Sequence, residues 1–403
     1  MKPLFGILLV LGMLFPAAGS AQDWNITGAG ARAEGFGGAF IGVADDATAI
    51  VWNPAGLGQL ERAEVSAVGR YVSETSEFKS LLASDPYEES NTQSHFSFNF
   101  ASLAVPFSAG STNIVLAAAY QTQLDFYSAF TDVNKNRTES TGAAATLTPG
   151  VGFRFGSMFM LGAATNIWMG SFDYATKYAN GEVYTFSPKF SGLNFAAGAL
   201  LDFGGLSNPI PLKLGVAVKT PFTLEADIDY NLNGTTGNSD FEAEMPLMFG
   251  VGASYQIGQS FTVAVDYEMR QFKDKKTTTS EAGFSSSAPL SDSNEDLNQI
   301  RVGAEYLIVM KSGVIPIRAG FRTVPTVLAN YEWNRDSSNY YPSGQVSGKG
   351  YSVGTGFISS SFALDFAYTR EMYDEQTWTD AGLTDFTNNY TANRFSLSLI
   401  VYF

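Results

Sequence analysis

Residues 394–403 read RFSLSLIVYF, and this last stretch of the chain decides its fold. Every second side chain is apolar, which places one apolar row on a single face of an extended strand: Phe395, Leu397, Leu399, Val401 and Phe403. The other face begins with Arg394, Ser396 and Ser398. A strand that crosses a membrane needs about 9–11 residues with an apolar row toward lipid. The C-terminal stretch therefore predicts a transmembrane β-strand.

The same alternation recurs along the chain and predicts an all-β protein, a transmembrane antiparallel β-barrel. The second face of these segments carries glycine, alanine, arginine and aspartate, and such a mixture of small and charged residues suits a lumen. We predict about fourteen strands, near 63–73, 95–106, 112–125, 144–155, 158–174, 184–204, 211–225, 244–257, 260–273, 297–310, 313–324, 350–358, 361–372 and 392–403.

The connections between these strands are predicted to alternate between long and short. The long ones are 74–94, 126–143, 175–183, 226–243, 274–296, 325–349 and 373–391. Transmembrane barrels have long outer loops and short periplasmic turns, so the alternation favours a barrel over a soluble sandwich. An even strand number places both termini in the periplasm. In the second strand the apolar face changes near Ser102, which predicts a bulge there.

The composition excludes several classes of function. The chain has 403 residues, a formal net charge of −15 and no cysteine. The acidic excess argues against a nucleic-acid partner, because nothing neutralises the phosphates. Without cysteine there is no disulfide and no thiolate metal site, and one histidine, His95, cannot form a multi-histidine zinc site. We therefore expect no enzyme, no cofactor and no metal, and we expect His95 to be a polar residue at a strand end.

The N-terminus is predicted to contain two segments that precede the barrel. Residues 1–21 have the pattern of a signal peptide, with an apolar core at Leu4–Phe15 that is too short to span a bilayer as a helix. Residues 22–62 do not alternate and are rich in glycine, which permits tight turns and close approach in a confined space. We expect 22–62 to form a plug in the lumen and 63–403 to form the barrel.

Three short motifs of the plug are similar to the hatch of the long-chain fatty-acid transporter (FadL/TodX) superfamily: Gly37-Gly38-Ala39-Phe40, Ala44-Asp45-Asp46-Ala47 and Asn53-Pro54-Ala55-Gly56-Leu57. The resemblance implies a fourteen-stranded, plugged barrel of the outer membrane that passively transports hydrophobic small molecules, such as long-chain fatty acids or hydrocarbons. It also implies capture of the ligand at the outer face and lateral exit through the barrel wall. We expect a monomer in contact with outer-membrane lipid and lipopolysaccharide.

The plug supplies the first candidate site residues. Asp45–Thr48 predicts the start of a helix that Asn53-Pro54 ends. We expect Asn53, Pro54 and Ala55 to form the contact between plug and wall that rearranges during transport; the alternative is a static helix stop. The apolar plug residues either line the ligand path or pack the plug in place: Phe36, Phe40, Ile41 and Trp52.

Three lumen-facing arginines form the second candidate group: Arg301, Arg318 and Arg322. Arginine binds a carboxylate through two parallel hydrogen bonds, so these residues can hold the head group of a fatty acid. The alternative is that they pair with acidic residues of neighbouring strands or with the plug. The candidate acidic partners are Glu305, Asp266 and Asp365.

The resemblance leaves a second function open. The Trp52-Asn53-Pro54 style of hatch also resembles the PorV-like barrels, which implies a partner in protein secretion or surface assembly. The plug argues against a plain diffusion porin, and the single histidine argues against a lipase. The predicted third strand, 112–125, has neither glycine nor proline in its interior. The lateral exit is therefore implied by the resemblance and not by the residues.

Overall fold

The structure is a computed structural model that describes residues 28–81, 86–132, 134–334, 339–378 and 384–403. The predicted signal peptide, 1–21, lies outside the described residues. A search of the described part of the chain finds no helix that is long and apolar enough to cross a membrane. The helices are short: α1 is Ala31–Gly35, α2 is Ala49–Trp52, and 3-10 helices span Pro54–Gln59 and Phe203–Gly205.

The described residues that follow the N-terminal helices form fourteen antiparallel strands, five of which are interrupted and keep one label each. They are β1 Glu64–Ser80, β2 Tyr87–Ala109, β3 Thr112–Asp125 with Ser128–Thr131, β4 Arg137–Phe155, β5 Phe159–Lys177, β6 Val183–Asp202, β7 Leu212–Lys219 with Phe222–Leu232, β8 Thr235–Met245 with Met248–Ile257, β9 Phe261–Arg270 with Lys276–Glu281, β10 Phe284–Pro289 with Leu297–Met310, β11 Gly313–Asn334, β12 Asn339–Ile358, β13 Phe362–Trp378 and β14 Thr384–Tyr402. β14 pairs with β1 from Tyr402 opposite Glu64 to Phe386 opposite Ser80, so the sheet closes into a barrel. The predicted fold and strand number are confirmed.

The outer connections are much shorter than predicted, because most of each predicted loop is strand. β1 and β2, for example, cover all of 74–94 except 81–86. Asn233-Gly234 joins β7 to β8, and Ala282-Gly283 joins β9 to β10. All four of these residues have positive φ, which is typical of tight type I′ hairpin turns. We call the end of the barrel with these hairpins the upper end, and the end with the short periplasmic turns the lower end.

The strands continue above the membrane because the polarity of their two faces reverses. In the lower part of β7, apolar side chains point outward and small ones inward, as in Leu214-Gly215-Val216-Ala217. In the upper part, apolar side chains are buried and acidic ones exposed, as in Leu224-Glu225-Ala226-Asp227-Ile228. The lower part faces lipid and the upper part faces water, so each part buries or exposes its apolar row accordingly. The predicted loops were wrong because the prediction considered only strands whose apolar row faces outward.

The reversal coincides with interruptions at the same level of two neighbouring strands. Thr220-Pro221 interrupts β7 and Pro246-Leu247 interrupts β8. Proline has no N–H to donate to a sheet, so it ends the ladder at these points. A slip of one residue moves every following side chain to the other face of a strand. The two prolines therefore mark the level at which the barrel wall leaves the apolar layer.

The predicted bulge in β2 is present, but it lies closer to the outer end than Ser102. The register between β1 and β2 shifts where Val68 lies opposite Phe100 and Gly69 opposite Phe98. Asn99 and Phe100 are consequently both buried, although they are neighbours in one strand. The bulge turns Phe100 into the lumen, where it packs in the same apolar cluster as residues of the plug.

The reversed polarity predicts that the inward row of upper β7 carries stability and the outward row does not. Ile228→Ala should lower the free energy of unfolding by about 2–4 kcal/mol, because a fully buried side chain is truncated. Asp227→Ala, at the exposed neighbouring position, is the matched control and should change it little. Urea unfolding in detergent, followed by tryptophan fluorescence, measures both; a larger loss at Asp227 would contradict the assigned faces.

Candidate functional site

The plug lies inside the lumen and its side chains are almost all buried. The helix predicted to begin near Asp45 begins at Ala49 and ends at Trp52, and Asn53 then adopts an extended conformation. Asp46 accepts a hydrogen bond from the Thr48 backbone N–H at 2.9 Å. The chain therefore turns tightly twice within the barrel, before and after α2.

The plug is seated against a belt of glycines that project no side chain into the lumen. Within the described residues, eight strands contribute one of these belt glycines each: Gly152, Gly162, Gly198, Gly215, Gly252, Gly303, Gly320 and Gly354. A Cβ atom at Gly162 would overlap the backbone of Pro54, and one at Gly320 would overlap that of Gly37. At most of these glycines plug and wall thus pack backbone against backbone, which only glycine allows, and at Gly198 the Asn53 side chain occupies the space.

Asn53, Pro54 and Ala55 lie where plug and wall touch. The Asn53 side chain is fully buried and donates to the carbonyl oxygens of Ile41 at 2.9 Å and Ala199 at 3.2 Å. Its own oxygen accepts from the Ala55 N–H at 3.2 Å. Asn53 therefore joins the plug to β6 and also fixes the turn that leads into the 3-10 helix. Whether this contact rearranges stays a prediction.

Each of the three candidate arginines has an acidic partner inside the barrel. Arg318 donates to Glu305 and to Asp365, each at 2.6 Å, as the alternative interpretation predicted. The other two arginines pair with acidic residues that were not foreseen: Arg301 with Glu268 at 2.9 Å and Arg322 with Glu371 at 2.7 Å.

Asp266, the third predicted acidic partner, contacts the plug instead. Its carboxylate accepts the Ile41 backbone N–H at 2.8 Å. Binding of a ligand carboxylate by the arginines stays a prediction, and it would require one of the buried pairs to open.

Charged groups of the plug extend this network. Arg32 pairs with Asp45 inside the plug, and its Nε lies 3.5 Å from Glu305 of the wall. Burial raises the pKa of the Asp45 carboxyl, but the charges of Arg32 and Lys213 and the hydrogen bond from Arg32 together hold that pKa below its usual range. Glu34 pairs with Arg70 of β1. The plug is therefore held electrostatically as well as by close packing.

The apolar plug residues Phe36, Phe40, Ile41 and Trp52 are all buried. The rings of Phe40 and Trp52 meet edge to face at 6.1 Å, and the Trp52 N–H donates to the Ala29 carbonyl at 2.8 Å. Phe36 and Phe40 also border a cavity of about 560 Å³ near the periplasmic turns, whose lining includes Arg32 and Asp45. Packing within the plug is thus evident for these residues, whereas contact with a ligand stays a prediction.

The main feature that sequence reasoning missed is a cluster of buried apolar side chains that line the upper half of the barrel, which we call the apolar chamber. Phe126 stacks on Phe172 at 4.1 Å and on Phe190 at 5.3 Å between ring centres. The cluster around this stack also contains Leu124, Ala144, Trp168, Phe186, Leu224, Ala226, Ile228, Phe241, Ala243, Met245, Phe272, Leu290, Leu297 and Val327. The alternation within the predicted loops 226–243 was the signal that could have revealed it.

A small cavity of about 50 Å³ borders the lower side of the chamber. Its apolar lining includes Trp168, Phe222 and Met245, and its polar lining includes Lys219 and Gln123. Gln123 lies at a register shift in β3, where Thr122 and Leu124 pair with consecutive residues of β4. The cavity therefore borders both the apolar chamber and an irregular part of β3.

Next to this point the ladder between β2 and β3 stops. Their register runs from Ala109 opposite Thr112 up to Phe100 opposite Gln121. Above that level the described contacts between the two strands are made through side chains, as in the bond from Thr122 Oγ1 to the Phe98 carbonyl at 2.7 Å. We call this stretch, Gln93–Asn99 of β2 with Thr122–Ala129 of β3, the side-chain seam.

An outward apolar belt and a plug seated in the lumen together define a plugged transmembrane β-barrel of the outer membrane. Its fold is that of the FadL/TodX channels. It matches a Pseudomonas aeruginosa FadL homologue with a TM-score of 0.64 over 91% of this chain and 97% of that chain, at 16% identity.

Two further solved structures are similar in fold. The Pseudomonas putida toluene transporter TodX matches with a TM-score of 0.64 and 12% identity over 94% of this chain and 99% of that chain. The Ralstonia pickettii toluene transporter TbuX matches with a TM-score of 0.60 and 16% identity over 93% of this chain and 99% of that chain. No family model matches the chain. No curated protein matches it either.

The glycine belt predicts that a side chain at one of its positions displaces the plug. Gly162→Leu should create an open ion path, because the new side chain would occupy the space of Pro54. Gly69→Leu is the matched control, since a Cβ there meets nothing within 4 Å. Single-channel recordings in planar bilayers measure the conductance; equal values for the two variants would rule out the close seating.

Asn53 is predicted to stabilise the barrel through its three hydrogen bonds. Asn53→Leu should lower the free energy of unfolding by about 2–4 kcal/mol, because buried carbonyl and N–H groups lose their partner. Asn238→Leu, at an exposed position of upper β8, serves as the control. The temperature at which the folded band is lost on gels reports the difference, and an unchanged temperature for Asn53→Leu would refute the role.

Proposed function

We propose that this protein passively transports hydrophobic small molecules, such as long-chain fatty acids or hydrocarbons, across the outer membrane. The observation that carries the proposal is the apolar chamber, which lies inside the barrel above a seated plug. A hydrophobic solute partitions poorly into the polar surface of the outer membrane. Burial of its surface in the chamber contributes about 25 cal/mol per Å². The similar solved structures include two toluene transporters, which supports cargo of this kind.

A lateral exit through the wall suits this arrangement better than a path through the plug. The plug is held by the glycine belt and by buried ion pairs, so a path through it would have to break many contacts at once. The side-chain seam lies beside Leu124 and Phe126 of the chamber and has no continuous backbone ladder to break. We therefore infer that cargo leaves the chamber between β2 and β3 and enters the lipid there.

The candidate residues take different parts in this proposal. Asn53, Pro54 and Ala55 are the contact that would have to shift if cargo instead passed the plug. Phe36, Phe40 and Trp52 hold the plug in shape. Arg301, Arg318 and Arg322 can meet a carboxylate head group only by exchanging an acidic partner, so we expect neutral hydrocarbons to need none of the three. We further propose that the protein acts as a monomer among outer-membrane lipid and lipopolysaccharide.

The chamber is tested by introducing a charge into it. Phe172→Asp should slow uptake of labelled oleate by about tenfold, because it removes the apolar ring of Phe172 from the chamber. A tenfold change corresponds to roughly 1.4 kcal/mol of lost apolar contact with the cargo. Ser171→Asp places the same charge at the exposed neighbouring position and should leave uptake unchanged. Cells that lack other transporters of hydrophobic compounds are the host, with surface expression measured in parallel.

The wild-type measurement decides between the two candidate functions. Uptake no faster than in cells without the protein would refute the transport proposal. If, in addition, the purified barrel captures components of a secretion machinery, the PorV-like alternative is supported. Labelled toluene, run beside oleate, tells whether a carboxylate head group matters.

A further inference from the structure

The sole histidine of the chain lies on the side-chain seam. His95 of β2 contacts Asp125 of β3, with 2.9 Å between Nε2 and Oδ2. The imidazole ring also stacks on the ring of Tyr127, with 4.2 Å between the ring centres. The side chain of His95 is 14% exposed and that of Asp125 is 30% exposed. This histidine therefore joins two strands at a level where their backbones are not paired.

Other side chains cross the seam as well. Ser97 of β2 also binds the Asp125 carboxylate, and two more side chains bind backbone groups. Gln93 accepts the Ala129 N–H at 3.1 Å, and Thr122 donates to the Phe98 carbonyl at 2.7 Å. The contact between His95 and Asp125 joins two side chains, and it stands at the outer edge of the apolar belt. Phe96, the neighbour of His95, is 84% exposed toward that belt. Water can reach the pair from above, so each side chain can exchange its partner for water. Backbone groups of a ladder in lipid have no such replacement.

We propose that His95 and Asp125 form a latch that keeps the seam closed and whose release opens the lateral exit. The proposal rests on the lateral route inferred above. On the chamber side of Asp125 lie Leu124 and Phe126, which are both buried in the apolar cluster. Parting of β2 and β3 at the latch would open these residues toward the outer edge of the apolar belt, where Phe96 is exposed. The latch pair positions the two strands and does not itself need to contact cargo.

The first test measures opening of the seam without any transport. The native chain has no cysteine, so a single cysteine at Leu124→Cys reports on the space behind the latch. A maleimide dissolved in the bilayer should label it slowly in the otherwise wild-type protein. Adding His95→Ala should raise the labelling rate by about tenfold, which corresponds to the loss of one hydrogen bond to a charged group. Adding Asp125→Ala should raise it at least as much, because Asp125 also accepts the Tyr127 N–H and binds Ser97.

A double-mutant cycle tests whether the two residues act through each other. The double variant should label no faster than Asp125→Ala alone, because without the Asp125 carboxylate His95 has no partner left to lose. His95→Gln keeps an N–H donor and should restore slow labelling. Leu224→Cys, buried elsewhere in the chamber wall, should label at one rate in all backgrounds. Thr75→Ala removes a side-chain bond to Thr92 between β1 and β2, whose backbones are paired at this level. This substitution should have no effect on labelling.

The second test locks the seam and measures uptake of labelled oleate. Bridging His95→Cys and Asp125→Cys with a short thiol crosslinker should abolish uptake. Bridging Leu103→Cys and Ala118→Cys, which lie opposite each other below the seam, should leave uptake unchanged.

Each outcome decides one proposal. Unchanged labelling in folded latch variants, or normal uptake through the locked seam, overturns the latch. Absence of uptake by the wild-type protein overturns the transport function instead, and the labelling arm still decides whether the latch exists.

Discussion

In hydrocarbon an unpaired peptide group costs several kcal/mol, so every strand of this chain must pair on both sides as long as it is in the membrane. The pairing of β14 with β1 satisfies this condition for the whole sheet. Closure creates an interior that has to be filled, and the plug fills it by packing backbone to backbone against the wall glycines. Only where the wall leaves the apolar layer can a ladder end without this cost. The side-chain seam lies at that level.

The level at which the barrel wall leaves the apolar layer also explains the chamber. Below it the apolar row of each strand must face lipid, so the lumen receives small and charged residues, such as Gly320 and Arg318. Above it the outside is water, so the apolar row turns inward and meets its counterparts across the lumen. Pro221 and Pro246 allow the change of face in neighbouring strands. A hydrophobic chamber is thus a consequence of extending strands beyond the bilayer.

The plug closes the lower half of the lumen, and the side-chain seam provides the section of the wall that can open. The lower half of the lumen is closed by Asn53, the glycine belt and the ion pairs of the arginines, all buried and mutually supporting. The seam is closed by a few partly exposed side chains, among them His95 and Asp125. Contacts near water are exchanged more easily than buried ones. A barrel built this way retains its permeability barrier while one section of its wall can part.

The sequence by itself determined the barrel, the strand number and the position of the plug, because side-chain alternation and glycine content are local properties of the chain. RFSLSLIVYF and the Asn53-Pro54 motif were sufficient for these predictions. The sequence did not determine that Arg322 pairs with Glu371, 49 residues away, or that Asp266 binds the plug. It also could not place His95 opposite Asp125, because that contact depends on two register shifts. Partners across a closed sheet are set by register and closure, and only the tertiary structure decides these.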